Sequence, residues 1–336
     1  MTIRENYPLL RHNTFGIEAK TRWFVTYNDE RELLKILADE YFLSQPFLHI
    51  GSGSNLLFIS DYEGVILHSG IKDVAVERDD ERFVYLKAGA GMVWDDLVVY
   101  AVEHGWGGLE NLSGIPGEVG ASAVQNIGAY GCEAKDAITE ITAYDIRTGK
   151  KQIIQNAECQ YAYRDSIFKK AWKGRYIIAY VTFRLSKLPQ YNLEYGQLKA
   201  CVDAGAISLK TIREAVLAIR ADKLPDPKTL GNAGSFFMNP HICTAHYEGL
   251  KKTYPDMPCY PVSREVVKIP AAWLIEQCGW KGFREGQVAV YEKQPLVLVN
   301  KGGATGKDIA RLAEKVQVSV KNKFHIDITP EVTYIP

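Results

Sequence analysis

The chain has 336 residues, more than a typical domain of roughly 100 to 200 residues, so two or three domains are expected. Forty Lys and Arg against forty Asp and Glu cancel, which leaves no global field for a nucleic-acid backbone or an anionic membrane surface. With 46% hydrophobic and 24% charged residues, the composition excludes a disordered chain.

The N-terminal stretch has no apolar segment followed by a small-residue cleavage site, and no run reaches the roughly 18 apolar residues of a membrane span, so a cytoplasmic location is expected. Residues 23–27 read as a strand, Asn28 as the cap of a helix carrying Leu33, Leu34 and Leu37, and 47–50 as a second strand. Strands are expected again at 65–68, 74–77 and 83–88, then a helix over 93–104 stopped by Gly105. Residues 105–131 read as a long irregular loop, a length usually reserved for function. Residues 141–146 and 152–155 flank a Thr148-Gly149-Lys150 turn, and 176–185 is strongly extended.

Ser208 opens a helix with Ile212, Ala215, Val216 and Ile219 on one face, which the prolines and glycines of LPDPKTLGNAG break. The expected domains are therefore 1–75, 76–221 and 222–336. The last carries a helix at 271–278, strands at 288–291 and 296–300, and a helix opened by a Thr305/Asp308 capping box with Ile309, Leu312, Ala313, Val316 and Val320 as its apolar stripe.

Four segments carry candidate chemistry. In GSGSNLL, Gly51, Ser52, Gly53, Ser54, Asn55 and Leu56 follow a strand, and such small residues either cradle phosphate oxygens with backbone N–H groups or simply make a tight turn. Leu56 stands where a dinucleotide fingerprint needs its third glycine, and no Gly-Lys-Ser/Thr is present, so any phosphate site belongs to another architecture. The stretch 113–131 is rich in glycine with Glu118 as its one charge, a poor solvated loop better explained as wrapping a flat ligand. Arg164 stands among aromatics in YAYRDS, either as a functional cation or as a surface pair with Asp165. Ser235 follows a flexible backbone and precedes Phe236-Phe237. It has neither a GxSxG elbow nor a partner histidine, which leaves a turn serine or a hydroxyl in a water-poor pocket.

His241, Cys243 and His246 fit no standard zinc spacing and read as surface or helix-start residues, so no metal is expected. The remaining histidines, His12, His49, His68, His104 and His325, read as isolated, and the six cysteines form no CxxC pair.

Taken together, NTFGIEA, GSGSNLLF, GLENLSGIPGEVGASAVQNIGAYG, YRDSIFK, KLPDPKTLGNAGSFFMNP, AAWLIEQCGWKG and TPEV closely resemble the UDP-N-acetylenolpyruvoylglucosamine reductase family over nearly the whole chain. The resemblance implies an α+β protein: an FAD-binding fold of the vanillyl-alcohol-oxidase type, made of two α/β subdomains, plus a C-terminal α+β substrate-binding domain. It also implies NADPH-dependent reduction of UDP-N-acetylglucosamine enolpyruvate through non-covalent FAD, in bacterial peptidoglycan synthesis, by a monomer with no nucleic-acid or membrane partner. A tyrosine-containing substrate loop near 188–200 is matched by YNLEYG.

By that resemblance, Arg164 supplies a cation for the charge that develops on the substrate carboxylate, Glu331 assists in its protonated form, and Ser235 donates a proton to carbon. FAD is expected at residues 51–56, at Ile115, Pro116, Gly117, Ala121, Ser122, Val124 and Gly128, and at Arg164 and Arg220. The nucleotide sugar is expected at Tyr195, Lys223, Asn239 and Gln294, with Lys223 and Tyr195 suited to the diphosphate. Met238 departs from the family, which commonly has a basic residue there, so phosphate affinity is weakened or compensated elsewhere. A sugar or lactone oxidase on the same fold, and a non-catalytic nucleotide-sugar binder, are the competing readings; GNAGSFF and TPEV argue against the first, and intact Arg164, Ser235 and Glu331 against the second.

Overall fold

The structure is a computed structural model that describes residues 1–194, 198–202 and 207–336. It contains two compact units: Met1–Tyr7, Thr21–Ser52 and Glu63–Asp222 form the first, and Pro8–Lys20, Gly53–Tyr62 and Lys223–Pro336 the second.

Two sheets organise the first unit. One has the strand order Thr2–Pro8, Lys20–Tyr27, Tyr62–Ser69, Phe47–Ile50, with the last two parallel. The helix Glu30–Leu37 buries Leu33, Ile36 and Leu37 in this sheet's core, beside Val25, Val65 and Leu67. Its cap is Asp29, whose carboxylate accepts the Glu32 N–H, and not the expected Asn28. Leu34, placed on the apolar face by sequence, is 40% exposed.

The second sheet is antiparallel, in the order Lys151–Gln155, Ile138–Asp145, Tyr176–Ser186, Phe83–Gly89, Val74–Asp79. It shares its core with the helix Trp94–Glu103, which contributes Trp94, Leu97, Val98 and Ala101 and ends ahead of a left-handed Gly105. Residues 105–131, expected as irregular, hold a 3-10 turn Glu110–Leu112, a helix Val119–Gln125 and a hairpin Gly128–Ala129/Cys132–Glu133. That helix starts without a side-chain cap; its first N–H groups bond instead to Met92 O and Ala90 O, so neighbouring backbone supplies what local sequence lacks.

The second unit is built on a sheet ordered Gly231–Asn232, Leu298–Asn300, Val288–Val290, Arg284–Glu285. The helix Gly306–Phe324 packs with it and opens with the expected capping box, both bonds present, and its five expected stripe residues are buried. A parallel pair, Leu56–Phe58 with Thr333–Ile335, ties the end of the chain to residues just after the first glycine-rich segment. Cys243 is the N-cap of the helix Thr244–Thr253, and His246 Nε2 lies 3.1 Å from the Phe324 carbonyl oxygen. Among the described residues no helix is long and apolar enough to cross a membrane.

Candidate active site

In the first unit the glycine-rich stretch is anchored at both backbone groups of Gly114. Its N–H donates to Asp95 Oδ1 at 2.6 Å, and its carbonyl accepts from Arg220 Nε at 3.1 Å. Asp95 is itself fixed by a bidentate Arg213 at 2.6 and 2.7 Å. Burial pushes the Asp95 pKa up, but the Arg213 and Gly114 hydrogen bonds outweigh it and hold the carboxyl below its ordinary value. Among the described residues Arg220 has no other hydrogen bond, and burial works against its charge, with Tyr130 and Asp95 pulling the other way.

The helix Val119–Gln125 carries Ala121, Ser122 and Val124. Ser122 Oγ donates to Val119 O at 2.6 Å, while Ala121 and Glu118 flank Gly51, where an added methyl would lie 3.3 Å from the Ala121 methyl and 3.2 Å from Glu118 Oε2. Beside it the Ser52 hydroxyl is buried with no hydrogen-bond partner. A buried hydroxyl left unmatched is costly, and here it marks a place for a polar ligand group.

Arg164 occupies a left-handed backbone position, φ 55°, unusual for a side chain of this size. Lys169 Nζ clamps the Arg164 carbonyl at 2.8 Å and Gln125 Oε1 at 2.8 Å, and Ser166 Oγ donates to Val124 O at 2.6 Å. Asn126 extends the lashing, its amide donating to Ala162 O at 2.8 Å and Glu133 Oε2 at 3.0 Å. The guanidinium then reaches Gly128 O through Nη2 at 2.6 Å. A methyl on Gly128 would sit 2.9 Å from Arg164 Nη1, so a side chain there would displace the guanidinium. Asp165, which the surface-pair alternative would set against Arg164, pairs with Lys170.

The segments carrying Ser235 and Glu331 pair through their backbones in the second unit. The Phe236 carbonyl accepts the Glu331 N–H at 2.8 Å, the Met238 N–H donates to Thr329 O at 2.9 Å, and Phe237 bridges Pro330. Phe236 and Phe237 are buried, stacked edge to face with centroids 5.0 Å apart, and so pin the backbone on which Ser235 stands, half-buried. Asn55 clasps the same strand: its amide donates to Glu331 O at 3.1 Å and its carbonyl accepts the Thr333 N–H at 3.0 Å. Gly53, at φ 71°, packs so closely on His12 that a methyl would lie 1.9 Å from its carbonyl oxygen. The segment 53–56 thus reaches Glu331 directly, a link across 276 residues that no local pattern announces.

The other predicted substrate residues are less concentrated. Asn239 Oδ1 accepts the Ala271 N–H at 2.9 Å at the start of the helix Ala271–Gln277. Gln294 holds the turn before Leu298–Asn300, its Oε1 accepting from Leu296 N at 3.3 Å, and Lys223 is exposed. Tyr195 lies outside the described residues.

Sequence reading missed Lys169, Gln125, Ser166 and Asn126, whose roles are set by bonds across 36 to 44 residues of chain. It also took His49 and His68 as isolated. His68 Nε2 lies 3.0 Å from Glu118 Oε1, and His49 Nε2 lies 3.2 Å from the Tyr27 hydroxyl.

An orphaned Ser52 hydroxyl, glycines with no room for side chains and an enclosed Arg220 fit a pyrophosphate-bearing cofactor. Comparison with known proteins agrees. A profile of the FAD binding domain matches residues 22–154, and one of the C-terminal domain of UDP-N-acetylenolpyruvoylglucosamine reductase matches residues 226–335. The fold is therefore the FAD-binding fold of the vanillyl-alcohol-oxidase type followed by a substrate-binding α+β domain, the frame of an FAD-containing oxidoreductase. The chain is 49% identical to UDP-N-acetylenolpyruvoylglucosamine reductase of Bacteroides fragilis over 334 residues, covering 99% of this chain and 100% of the relative. It is 48% identical to that of Porphyromonas gingivalis over 337 residues, covering all of both. The crystal structure of UDP-N-acetylenolpyruvylglucosamine reductase from Thermus caldophilus superposes with a TM-score of 0.69 at 21% identity, over 100% of this chain and 98% of that one. The chain belongs to the UDP-N-acetylenolpyruvoylglucosamine reductase family.

Proposed function

We propose that this chain reduces UDP-N-acetylglucosamine enolpyruvate to UDP-N-acetylmuramate at the expense of NADPH, with Arg164, Ser235 and Glu331 as its catalytic groups. Bound FAD supplies the hydride relay between nicotinamide and substrate. Gly51, Ser52, Gly53, Ser54, Asn55, Leu56 and Arg220 would hold its pyrophosphate, and residues from Ile115 to Gly128 would hold the rest of it. Arg164 meets the negative charge that grows on the enolpyruvyl carboxylate, and its fixed guanidinium costs no reorganisation when that charge appears. Glu331 assists. Ser235 Oγ delivers a proton to the carbon that does not receive the hydride, a step that demands a dry setting because an alcohol is a weak acid. Tyr195, Lys223, Asn239 and Gln294 hold the nucleotide sugar. The protein acts as a monomer in the cytoplasm.

The observation that carries this reading is the backbone pairing of Phe236 with Glu331, which joins the segment bearing Ser235 to the segment bearing Glu331 on a rigid support. Ser235→Ala should leave flavin bleaching by NADPH intact under anaerobic conditions. Return of the flavin colour on adding the enolpyruvyl nucleotide sugar should slow by roughly 100- to 10,000-fold, the usual span for removing a general acid. Unchanged colour return would remove Ser235 from the mechanism.

A further inference from the structure

Asn111 belongs to neither the catalytic nor the cofactor set, yet it is only 2% exposed, at the middle of the 3-10 turn Glu110–Leu112 in the glycine-rich stretch. The turn is itself well braced. The Glu110 carboxylate accepts the Gly108 N–H at 2.7 Å, Ser113 Oγ donates to Glu110 O at 2.6 Å, and the buried Trp94 indole donates to Leu112 O at 2.9 Å.

From this base the Asn111 amide nitrogen donates twice, to Tyr130 O and to Asn192 O, both at 2.9 Å and 19 and 81 residues further along the chain. Two carbonyls fix which way the amide faces, because only its NH2 end has hydrogens to give. That orientation leaves Asn111 Oδ1 buried with no hydrogen-bond partner among the described residues. A buried acceptor left unmatched is costly, so the amide suits the holding of two remote carbonyls better than the stabilising of its own turn.

Each carbonyl belongs to a segment with a proposed task. Tyr130, at φ 48°, lies in the turn of the hairpin Gly128–Ala129/Cys132–Glu133, whose Gly128 carbonyl accepts from the Arg164 guanidinium at 2.6 Å. Asn192 stands just ahead of Tyr195 in the chain. Its own amide donates to Gly131 O at 3.3 Å and lies 3.8 Å from Cys132 Sγ, so this segment and the hairpin are tied from both sides. Tyr130 and Leu193 also pack on one apolar cluster, which includes Leu198 and, from the helix Leu209–Lys223, Ile212, Val216 and Ile219.

We infer that Asn111 is a positioning residue: its amide ties the segment leading into the substrate loop to the hairpin that holds the Arg164 guanidinium, so that loop and cation are placed together. The inference rests on the proposed roles of Arg164 and Tyr195 at the substrate.

Two readings are taken on FAD-loaded protein: deuterium uptake at residues 128–133 and 191–194, and return of flavin colour with the enolpyruvyl nucleotide sugar after anaerobic reduction by NADPH. Asn111→Leu keeps the branched shape and removes both donors. It should raise uptake at both segments by roughly 3- to 10-fold, the worth of one neutral hydrogen bond in each. The half-saturating concentration of the nucleotide sugar should rise by a similar factor and the limiting rate should fall, while flavin reduction by NADPH keeps its native rate. Asn192→Ala should also raise the half-saturating concentration. The double variant should fall short of the product of the two single effects, because both cut the same tie. Effects that multiply, or uptake unchanged in both single variants, overturn the tie. Raised uptake with native colour return overturns its part in placing the substrate groups. If the native flavin does not regain colour with the nucleotide sugar, the proposed function falls instead, and uptake alone decides the tie. If Asn111→Leu does not fold, Asn192→Ala, at a half-buried site, decides it by the same two readings.

Discussion

In the first unit Arg164 stands at a left-handed residue whose carbonyl is gripped by the Lys169 ammonium, with Ser166 and Asn126 lashing the flanking loops. In the second unit Ser235 and Glu331 stand on paired backbone, held by Phe236 O, Met238 N and Thr329 O and pinned by two buried phenyl rings. A position fixed by side-chain bonds can be lost by changing one polar group. A position fixed by a backbone ladder survives such changes and fails only when the packing beneath it goes. The two halves of the proposed chemistry should therefore break in different ways, one in activity before stability and the other in stability and activity together.

The largest effect is expected from Phe236→Ala. This side chain is fully buried, touches Phe15 and Phe237, and its backbone carries the bond to Glu331. Removing a buried phenyl ring costs about 3–5 kcal/mol, transfer and cavity terms together. Denaturant unfolding should show this loss, and substrate-driven flavin reoxidation should fall in parallel as the ladder loosens. A stable but inactive variant would put the ladder, and not the packing, in charge of Ser235.

Lys169→Met sharpens the other side of the comparison. The ammonium bonds to a carbonyl and an amide oxygen, and hydrogen bonds to a charged group are worth about 1.5–3 kcal/mol. Part of that energy holds Arg164 in a backbone conformation that arginine otherwise avoids. Reoxidation by the enolpyruvyl substrate should slow by about tenfold or more per 1.4 kcal/mol of lost positioning, while flavin reduction by NADPH stays near the native rate. Equal slowing of both half-reactions would mean that Lys169 supports the cofactor loops in general and not Arg164 in particular.

How much of this was legible beforehand follows from the range of the interactions. The strands 62–69, 83–89 and 176–186, and the helices 209–223 and 306–324, announce themselves through their own apolar periods and caps. The helix Val119–Gln125 does not: it is short, contains a glycine, lacks a side-chain cap, and is started by carbonyls of Met92 and Ala90. Motif wording offers Arg164, Ser235 and Glu331 as candidates, but not the means of holding them. The bonds of Asn55 to Glu331 and of His68 to Glu118 cross 276 and 50 residues, and such partners are decided by tertiary packing.

The smallest expected effect lies far from either mechanism and serves as the control. Thr305 and Asp308 close a reciprocal capping box at the start of the helix Gly306–Phe324: the Thr305 hydroxyl accepts the Asp308 N–H at 3.3 Å, and the Asp308 carboxylate accepts the Thr305 N–H at 3.0 Å. The helix-dipole field at this end favours the carboxylate as well. Those bonds, led by the one from Thr305, hold the Asp308 carboxyl below its ordinary value, so its contribution to stability is present above the unfolded-state pKa and fades as pH falls through the folded one. Thr305→Ala removes one cap and should cost about 1 kcal/mol in denaturant unfolding at neutral pH. The box is exposed, the buried apolar stripe from Ile309 to Phe324 is untouched, and both flavin half-reactions should run at native rates. A loss of reoxidation here, at so small a cost in stability, would show that the second unit transmits slight loosening of its long helix to the Ser235–Glu331 ladder, and that backbone pairing is a weaker anchor than the comparison with Arg164 implies.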